Sequence, residues 1–252
     1  MDIIKKLAQE LAIKEEQAKA AVQLIDEGNT IPFIARYRKE MTGALNDETL
    51  RNLHERLLYL RNLEEKKEQV INAITDQGKM TEDLKKKILS AETLVAVDDL
   101  YRPYRPKKQT RATKAKEKGL EPLANILLLQ KTTKSMEEEA AAFVNAEKGV
   151  ANAKEAIAGA KDIIAEMIAD MADYRKSIRN CTMKQGSLVV KAKDEKAESV
   201  YEMYYDFREP LSKVTGYRVL AINRGEKEKF LTVKVEAPDV QIVNALNKTM
   251  VK

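Results

Sequence analysis

The stretch Leu50-Arg51-Asn52-Leu53-His54-Glu55-Arg56-Leu57-Leu58-Tyr59-Leu60-Arg61-Asn62-Leu63 decides the fold class of this 252-residue chain. Leu50, Leu53, Leu57, Leu60 and Leu63 alternate spacings of three and four residues, the period of one face of an α-helix. Val70, Ile71 and Ile74 continue the stripe; Asn46 can cap its start and Gly78 can end it. About 30 residues rising about 1.5 Å each make a rod of roughly 45 Å. Its other face carries Glu55, Arg56, Glu64, Glu65, Lys66 and Lys67, a solvated surface with ion pairs one turn apart. Such a rod is the spine of a helical bundle or a coiled-coil partner surface. His54 sits among the leucines with no second ligand near it and reads as a surface or half-buried side chain.

Composition agrees with long helices. Tryptophan is absent, aromatics are 5 % and charged residues 34 %, with only 9 Gly and 6 Pro. That mixture disfavours an all-β sandwich or barrel. The single cysteine, Cys181, excludes an intramolecular disulfide and a cysteine-built zinc site, and the single histidine excludes multi-histidine metal centres. Met1-Asp2-Ile3-Ile4-Lys5-Lys6 lacks the apolar run of a signal peptide. No apolar run approaches the roughly 18 residues a membrane span needs. The expectation is a soluble, reduced, cytoplasmic protein without membrane, metal or cofactor.

Working outward from the rod, Asp2 can cap a first helix carrying Ile3, Ile4, Leu7 and Leu11. A second helix begins near Glu15 with Ala18, Val22 and Ile25, and Gly28 stops it. Pro32 opens a short basic helix with Phe33, Ile34, Arg36, Tyr37, Arg38 and Lys39, closed by Gly43. Helix, glycine turn and basic helix over about 15–43 resemble a helix-turn-helix, although plain bundle packing produces the same pattern. Beyond the rod, Thr81 can start a helix, and Leu94, Val95, Val97 and Leu100 lead into Tyr101-Arg102-Pro103-Tyr104-Arg105-Pro106-Lys107-Lys108. The paired prolines favour an extended, polyproline-like track there. Thr110 can cap a basic helix to Lys118, Pro122 opens another, and Ser135 and Asn152 have capping-box form. The last of these starts a long helix whose stripe fades between Ile178 and Met183, with Gly186 as its stop.

After Gly186 the period changes. Leu188-Val189-Val190 reads as a strand, and Val200, Met203, Tyr204 and Phe207 return to helical spacing. Tyr217 to Ile222 and Phe230 to Val235 read as two strands joined by a hairpin at Asn223-Arg224-Gly225-Glu226. Val240 to Val251 reads as a helix whose Ile242, Val243 and Leu246 want something to pack on. The expected fold is therefore mainly α, a multi-helix assembly with long central helices and a small antiparallel β element near the C-terminus. Its expected division is a helical domain over 1–186 and a small α+β segment over 187–252.

Little catalytic chemistry can be assembled. No glycine-rich phosphate loop is present, and His54 and Cys181 lie in ordinary helical contexts. Asp98 and Asp99 point about 100° apart on a helix and make poor co-ligands. The chain is expected not to be an enzyme. Its charge points elsewhere. Between Arg102 and Lys118 eight basic residues face Glu117 alone, a charge of +7 in a chain of +5, so the remainder is slightly acidic. A local patch of this kind implies a polyanionic partner. Tyr101 and Tyr104 alternate with Arg102 and Arg105, and Lys107, Lys108, Arg111 and Lys114 follow; stacking faces and cations are what a single nucleic-acid strand uses. The same tyrosines could instead dock the segment on the bundle while the lysines solvate. Arg36, Arg38 and Lys39 form a second candidate contact.

Longer matches carry a family resemblance. Ile31-Pro32-Phe33-Ile34-Ala35-Arg36-Tyr37-Arg38-Lys39-Glu40 with Thr42-Gly43 resembles the N-terminal signature of Tex, the bacterial S1 RNA-binding transcription accessory family. Asp98 to Lys107, Thr110 to Thr113, Glu117 to Leu123 and Arg218 to Glu226 resemble it too. Thr215-Gly216-Tyr217 departs from the family pattern, which has a Ser-His pair before the arginine. The resemblance implies an N-terminal helical region with a helix-turn-helix-like element, followed in the family by RNase H-like, helix-hairpin-helix and S1 modules. None of those is visible here, so the chain is expected to be a fragment. The family is also similar to a eukaryotic transcription elongation factor, and its principal nucleic-acid binding is attributed to the S1 domain. The expected role is a non-catalytic part of a transcription accessory protein that contributes to nucleic-acid binding, with RNA ahead of DNA. The alternative is a scaffold that contacts the transcription machinery or braces other domains.

Overall fold

The computed structural model describes residues 2–251. The chain forms two compact units, Met1–Tyr104 and Arg105–Lys252. The first is all helical: α1 (Ile3–Leu11), α2 (Glu15–Asp26), α3 (Ile31–Tyr37), α4 (Asp47–Asp76), α5 (Glu82–Ser90) and α6 (Leu94–Tyr101), with a tight 3-10 turn over Arg102–Tyr104. The leucine rod is α4, and it is the spine. Asn46 accepts from the Thr49 amide at its start. Leu50, Leu53, Leu57, Leu60 and Leu63 are at most 1 % exposed, covered by α1, α2, α3 and α6. Each such burial stabilises by about 1.5–3 kcal/mol. Two forked ion pairs fix the cover. Arg56 donates to both oxygens of Glu10 at 2.5 and 2.8 Å, and Arg61 to both of Asp26 at 2.7 Å. Those hydrogen bonds hold the Glu10 and Asp26 carboxyls below their ordinary range, against a smaller opposing effect of burial. Lys67, expected on the solvated face, lies instead on the buried stripe between Leu63 and Val70 and is satisfied there, donating to Glu64 at 2.7 Å and to the Leu89 carbonyl at 2.9 Å.

The second unit runs α7 (Arg111–Glu117), α8 (Glu121–Leu129), α9 (Met136–Ala141), α10 (Ala153–Asp170), α11 (Ala172–Gln185), β1 (Ser187–Ala192), β2 (Asp206–Pro210), α12 (Gly216–Lys227), β3 (Leu231–Glu236) and α13 (Asp239–Met250). One core cluster joins α7 to α10; a second, with Leu188, Val190, Tyr201, Tyr204, Ile222 and Leu231, lies under the sheet. The passage between them is where the sequence changes period, at 186/187. Gly159 lets α10 meet α8 closely: a Cβ there would lie 2.4 Å from a Leu120 methyl. The sheet is antiparallel with order β2-β1-β3, and β1 is central, its Val189 opposite Arg208 on one side and Lys234 on the other. Among the described residues no helix is long and apolar enough to cross a membrane.

Four local expectations are corrected. Tyr217 to Ile222 is not a strand and Asn223–Glu226 is not a hairpin; both lie within α12. Gly225 serves packing there, since a Cβ would fall 2.6 Å from Leu231 and 3.1 Å from Tyr201. The true turn follows at Lys229, with φ +68°, where the Phe230 amide donates to the Gly225 carbonyl. The long helix from Asn152 breaks at Met171, extended with ψ 117°, giving α10 and α11. Val200 to Phe207 is a 3-10 turn leading into β2, paired to β1, because the sheet captures Phe207 opposite Val190. The expected polyproline track begins as a 3-10 turn at Arg102–Tyr104, which tolerates Pro103 in its first positions. The terminal helix α13 forms, half-burying Ile242 and Leu246 while Val243 stays 51 % exposed.

Candidate nucleic-acid interface

The basic stretch is divided between the two units. In the first, Tyr101 and Tyr104 are half-buried against the leucine core, and Gln77 donates to the Tyr104 carbonyl at 3.0 Å. Both rings therefore dock the segment. Arg102 is exposed. In the second unit Arg105, Lys107, Lys108, Arg111 and Lys114 precede or occupy α7, whose first turn is fixed by reciprocal bonds between Thr110 and Thr113. Lys107 is committed internally: its ammonium pairs with Asp170 and lies 3.3 Å from Glu166, with its side chain only 23 % exposed. Lys118 donates to the Gly149 carbonyl at 2.7 Å, and Lys116 lies 3.4 Å from Glu121. Arg111 extends into solvent 3.7 Å from Asp162. Lys108 and Lys114 are exposed and form no ion pair among the described residues. Of the eight cations, Lys107, Arg111 and Lys116 thus lie within 4 Å of a carboxylate.

The other candidate, at the end of α3, is built differently. Thr30 precedes the helix, Pro32 fits its first turn, and Ile34 is fully buried on the core side. The chain then turns back through residues 38–45. Thr42 is fully buried with its hydroxyl 3.3 Å from the Arg38 and Lys39 carbonyls. The Gln17 amide donates to the Thr42 and Gly43 carbonyls at 3.3 and 3.0 Å. Gly43 has φ +60°, and a Cβ on it would lie 2.8 Å from Gln17 Nε2. Ala44 holds φ +63°, a conformation that costs an L-residue about 1–2 kcal/mol. Backbone strain of that size persists only where its surroundings enforce it.

Arg36 and Tyr37 in the last turn of α3, and Arg38 and Lys39 at the entry to this braced loop, are all exposed, and none of the three cations forms an ion pair among the described residues. The Tyr37 ring is 62 % exposed and sits 5.3 Å from the Phe33 ring. Arg38 covers the Phe33 ring at 5.1 Å and donates to the Tyr37 carbonyl at 3.2 Å. Cations also complement the carbonyl end of a helix, a structural role open to Arg36. These side chains, with Glu27, Glu40 and Met41, rim an open cleft of 670 Å³. Sequence alone does not set Tyr37 apart: α3 ends at Tyr37 and not at Gly43, and the glycine serves the loop beyond it.

Among the described residues no three His, Cys, Asp or Glu side chains gather to hold a metal. The molecule is a mainly helical protein of surfaces, with cations held out on a braced loop and no metal cluster among the described residues. Comparison with known proteins gives the family. The Tex-like protein N-terminal domain matches residues 1–75, and the Tex central region-like domain matches residues 131–251. The chain is 41 % identical to the transcriptional accessory protein Tex of Neisseria gonorrhoeae over 94 % of its own length and 31 % of the relative's. It is 43 % identical to the protein tex of Bordetella pertussis, over 92 % of the chain and 30 % of the relative. Human S1 RNA-binding domain-containing protein 1 is 33 % identical over 94 % of the chain and 24 % of its own length. This chain belongs to the Tex family of transcription accessory proteins. It spans about a third of the length of the curated relatives it matches.

Proposed function

We propose that the chain is a non-catalytic part of a Tex-like transcription accessory protein that contributes contacts to nucleic acid, RNA ahead of DNA. The observation that carries this reading is the triad Arg36, Arg38 and Lys39, exposed and without an ion pair among the described residues, where α3 ends and passes into a loop held by Gln17 and Thr42. Cations left unbalanced on a rigid support are what phosphate recognition needs. The names of two relatives, a transcriptional accessory protein and an S1 RNA-binding domain protein, support the same direction. In this reading the helix-turn-helix-like element over 15–43 is the principal contact, and Lys108, Arg111 and Lys114 on the second unit add a weaker one. Tyr101, Arg102, Tyr104, Arg105 and Lys107 serve mainly to position the chain. Titrating single-stranded RNA and duplex DNA at several salt concentrations tests this. Three phosphate contacts on a single strand give a log–log slope of about −2. Absence of binding at low salt, or binding indifferent to salt, would overturn the reading.

A second reading has its own observation. In the second unit, an apolar groove of 740 Å³ runs beside α10, α11, β3 and α13, lined by Ile168, Ile178, Met183, Leu211, Val235 and Leu246. A surface of that kind favours a scaffold contacting the transcription machinery or bracing other domains. RNA-independent capture of a transcription protein, lost on Leu246→Asp, would support it.

A further inference from the structure

We infer that Tyr37 is a base-stacking residue and that the ligand of the α3 loop is a single strand. This rests on the proposed function and deepens it by naming the class of nucleic acid. Tyr37 ends α3, beside a core that accommodates Tyr101 and Tyr104, yet 62 % of it remains in water. Met41, four residues on, is 52 % exposed on the rim of the same cleft. Nothing about the loop is slack: Thr42 is buried, Gln17 holds two carbonyls, and Gly43 and Ala44 occupy left-handed backbone. Tyr37 is therefore fixed on both sides, by the helix that it ends and by the constrained loop that follows it.

The ring is also steadied for its task. Phe33 supports it at 5.3 Å with planes tilted by 45°, so one face of Tyr37 is not occupied by a parallel partner. Arg38 lies over the Phe33 ring and donates to the Tyr37 carbonyl, which ties the three residues together. Arg36 and Lys39 flank the ring along the chain, as cations do where a strand's phosphates pass a stacking platform. Inside a duplex each base already stacks on its neighbours, so an exposed aromatic face has nothing to accept. A single strand offers unstacked bases and phosphates together. The cleft's two carboxylates, Glu27 and Glu40, reduce its net charge to +1, which makes base contact weigh more against phosphate contact than it would in a purely basic groove.

The test uses the whole chain and a labelled RNA oligoadenylate of about ten nucleotides, within the span such surfaces cover. Its comparators are the same length with abasic sugars, a matched RNA duplex, the DNA single strand and inorganic polyphosphate. Tyr37→Ala is expected to weaken oligoadenylate binding roughly 5- to 150-fold, Tyr37→Phe to leave it within about twofold, and Tyr37→Ala to leave polyphosphate and abasic binding unchanged. Because Tyr37 is exposed, the melting temperature of Tyr37→Ala should match the wild type, which separates lost stacking from lost fold. Combined Arg36→Gln, Arg38→Gln and Lys39→Gln should weaken every polyanion. If that variant weakens binding while Tyr37→Ala does not, stacking is refuted and the electrostatic reading stands. If neither weakens binding, both fail. Tighter binding of the duplex than of the single strand also overturns the inference.

Discussion

Two basic segments of this chain hold tyrosines beside arginines, and they use them in opposite ways. In Tyr101–Lys118 both tyrosines are turned into the leucine core, while Lys107, Lys116 and Lys118 are drawn to Asp170, Glu121 and the Gly149 carbonyl. In Arg36–Lys39 the tyrosine is out and the cations have no acidic partner among the described residues. The first segment has the greater charge in sequence; the second has the greater share of its cations outside ion pairs among the described residues. Phosphate affinity follows the latter, because a cation already paired must lose one partner to gain another. The lesson is that charge density along a chain locates a partner only after long-range pairing has been subtracted.

The largest effect that sharpens the contrast should come from Tyr104→Ala. Removing a half-buried ring from the first core should destabilise it by about 2 kcal/mol and leave RNA affinity unchanged. Chemical denaturation alongside an RNA titration reads both. Lost affinity with intact stability would break the contrast, since Tyr104 would then be a contact. Next comes Lys107→Met, which keeps the stem's volume and removes the charge facing Asp170 and Glu166. Asp170 is 6 % exposed, so it loses a charge partner where water reaches poorly, but it keeps other interactions and Lys107 is itself partly solvated. The expected loss is about 1–2 kcal/mol, with no change in RNA binding. A variant as stable as wild type that binds RNA less well would return Lys107 to the interface.

The same distinction between local and distant information explains what was legible beforehand. Helix starts were, because a cap is a local device. Asp2, Asn46, Thr81, Thr110, Ser135 and Asn152 each accept from an amide three residues on. The leucine spine was legible for the same reason, as a period carried by consecutive turns. The α12 segment was not: Val219, Leu220, Ala221 and Ile222 are consecutively apolar, which fits a short strand or a helix alike. What decides it is Gly225 meeting Leu231 and Tyr201, a contact that exists only after the sheet forms. In the candidate site, the cations of both segments could be named from sequence. The pairing of Lys107 with Asp170 spans 63 residues and leaves no local trace. The bonds from Gln17 in α2 to residues 42 and 43, which brace the loop after Tyr37, span 25 and 26 residues and leave no local trace either.

Gly43→Ala probes that reach with a smaller effect. The added methyl would meet Gln17 and occupy a left-handed backbone, so a stability loss of about 1–2 kcal/mol is expected. If preorganisation of the loop matters, RNA affinity should fall by several fold although no contact residue has changed. Unchanged affinity in a properly folded variant would mean that the cations act without the brace. Gly28→Ala, also at positive φ but with open space around it, controls for strain alone.

The smallest effect is the most direct measure of uncommitted charge. Each phosphate contact on a single strand contributes about −0.7 to the slope of log K against log[salt]. Replacing Arg36, Arg38 and Lys39 by Gln should therefore flatten the slope by about 2. Lys108→Gln with Lys114→Gln, two cations of the basic stretch outside its ion pairs, can flatten it by at most about 1.4. Lys107→Met should not move it at all, because an ammonium held by Asp170 and Glu166 releases no counterions from RNA. The ordering matters more than the individual values, since all variants share the same strand and ionic conditions. If the Lys108 and Lys114 pair flattens the slope more than the three residues of the α3 loop, the two segments exchange roles. The sequence's densest run of charge would then be the true nucleic-acid surface, and the braced loop a structural corner with its tyrosine left in water.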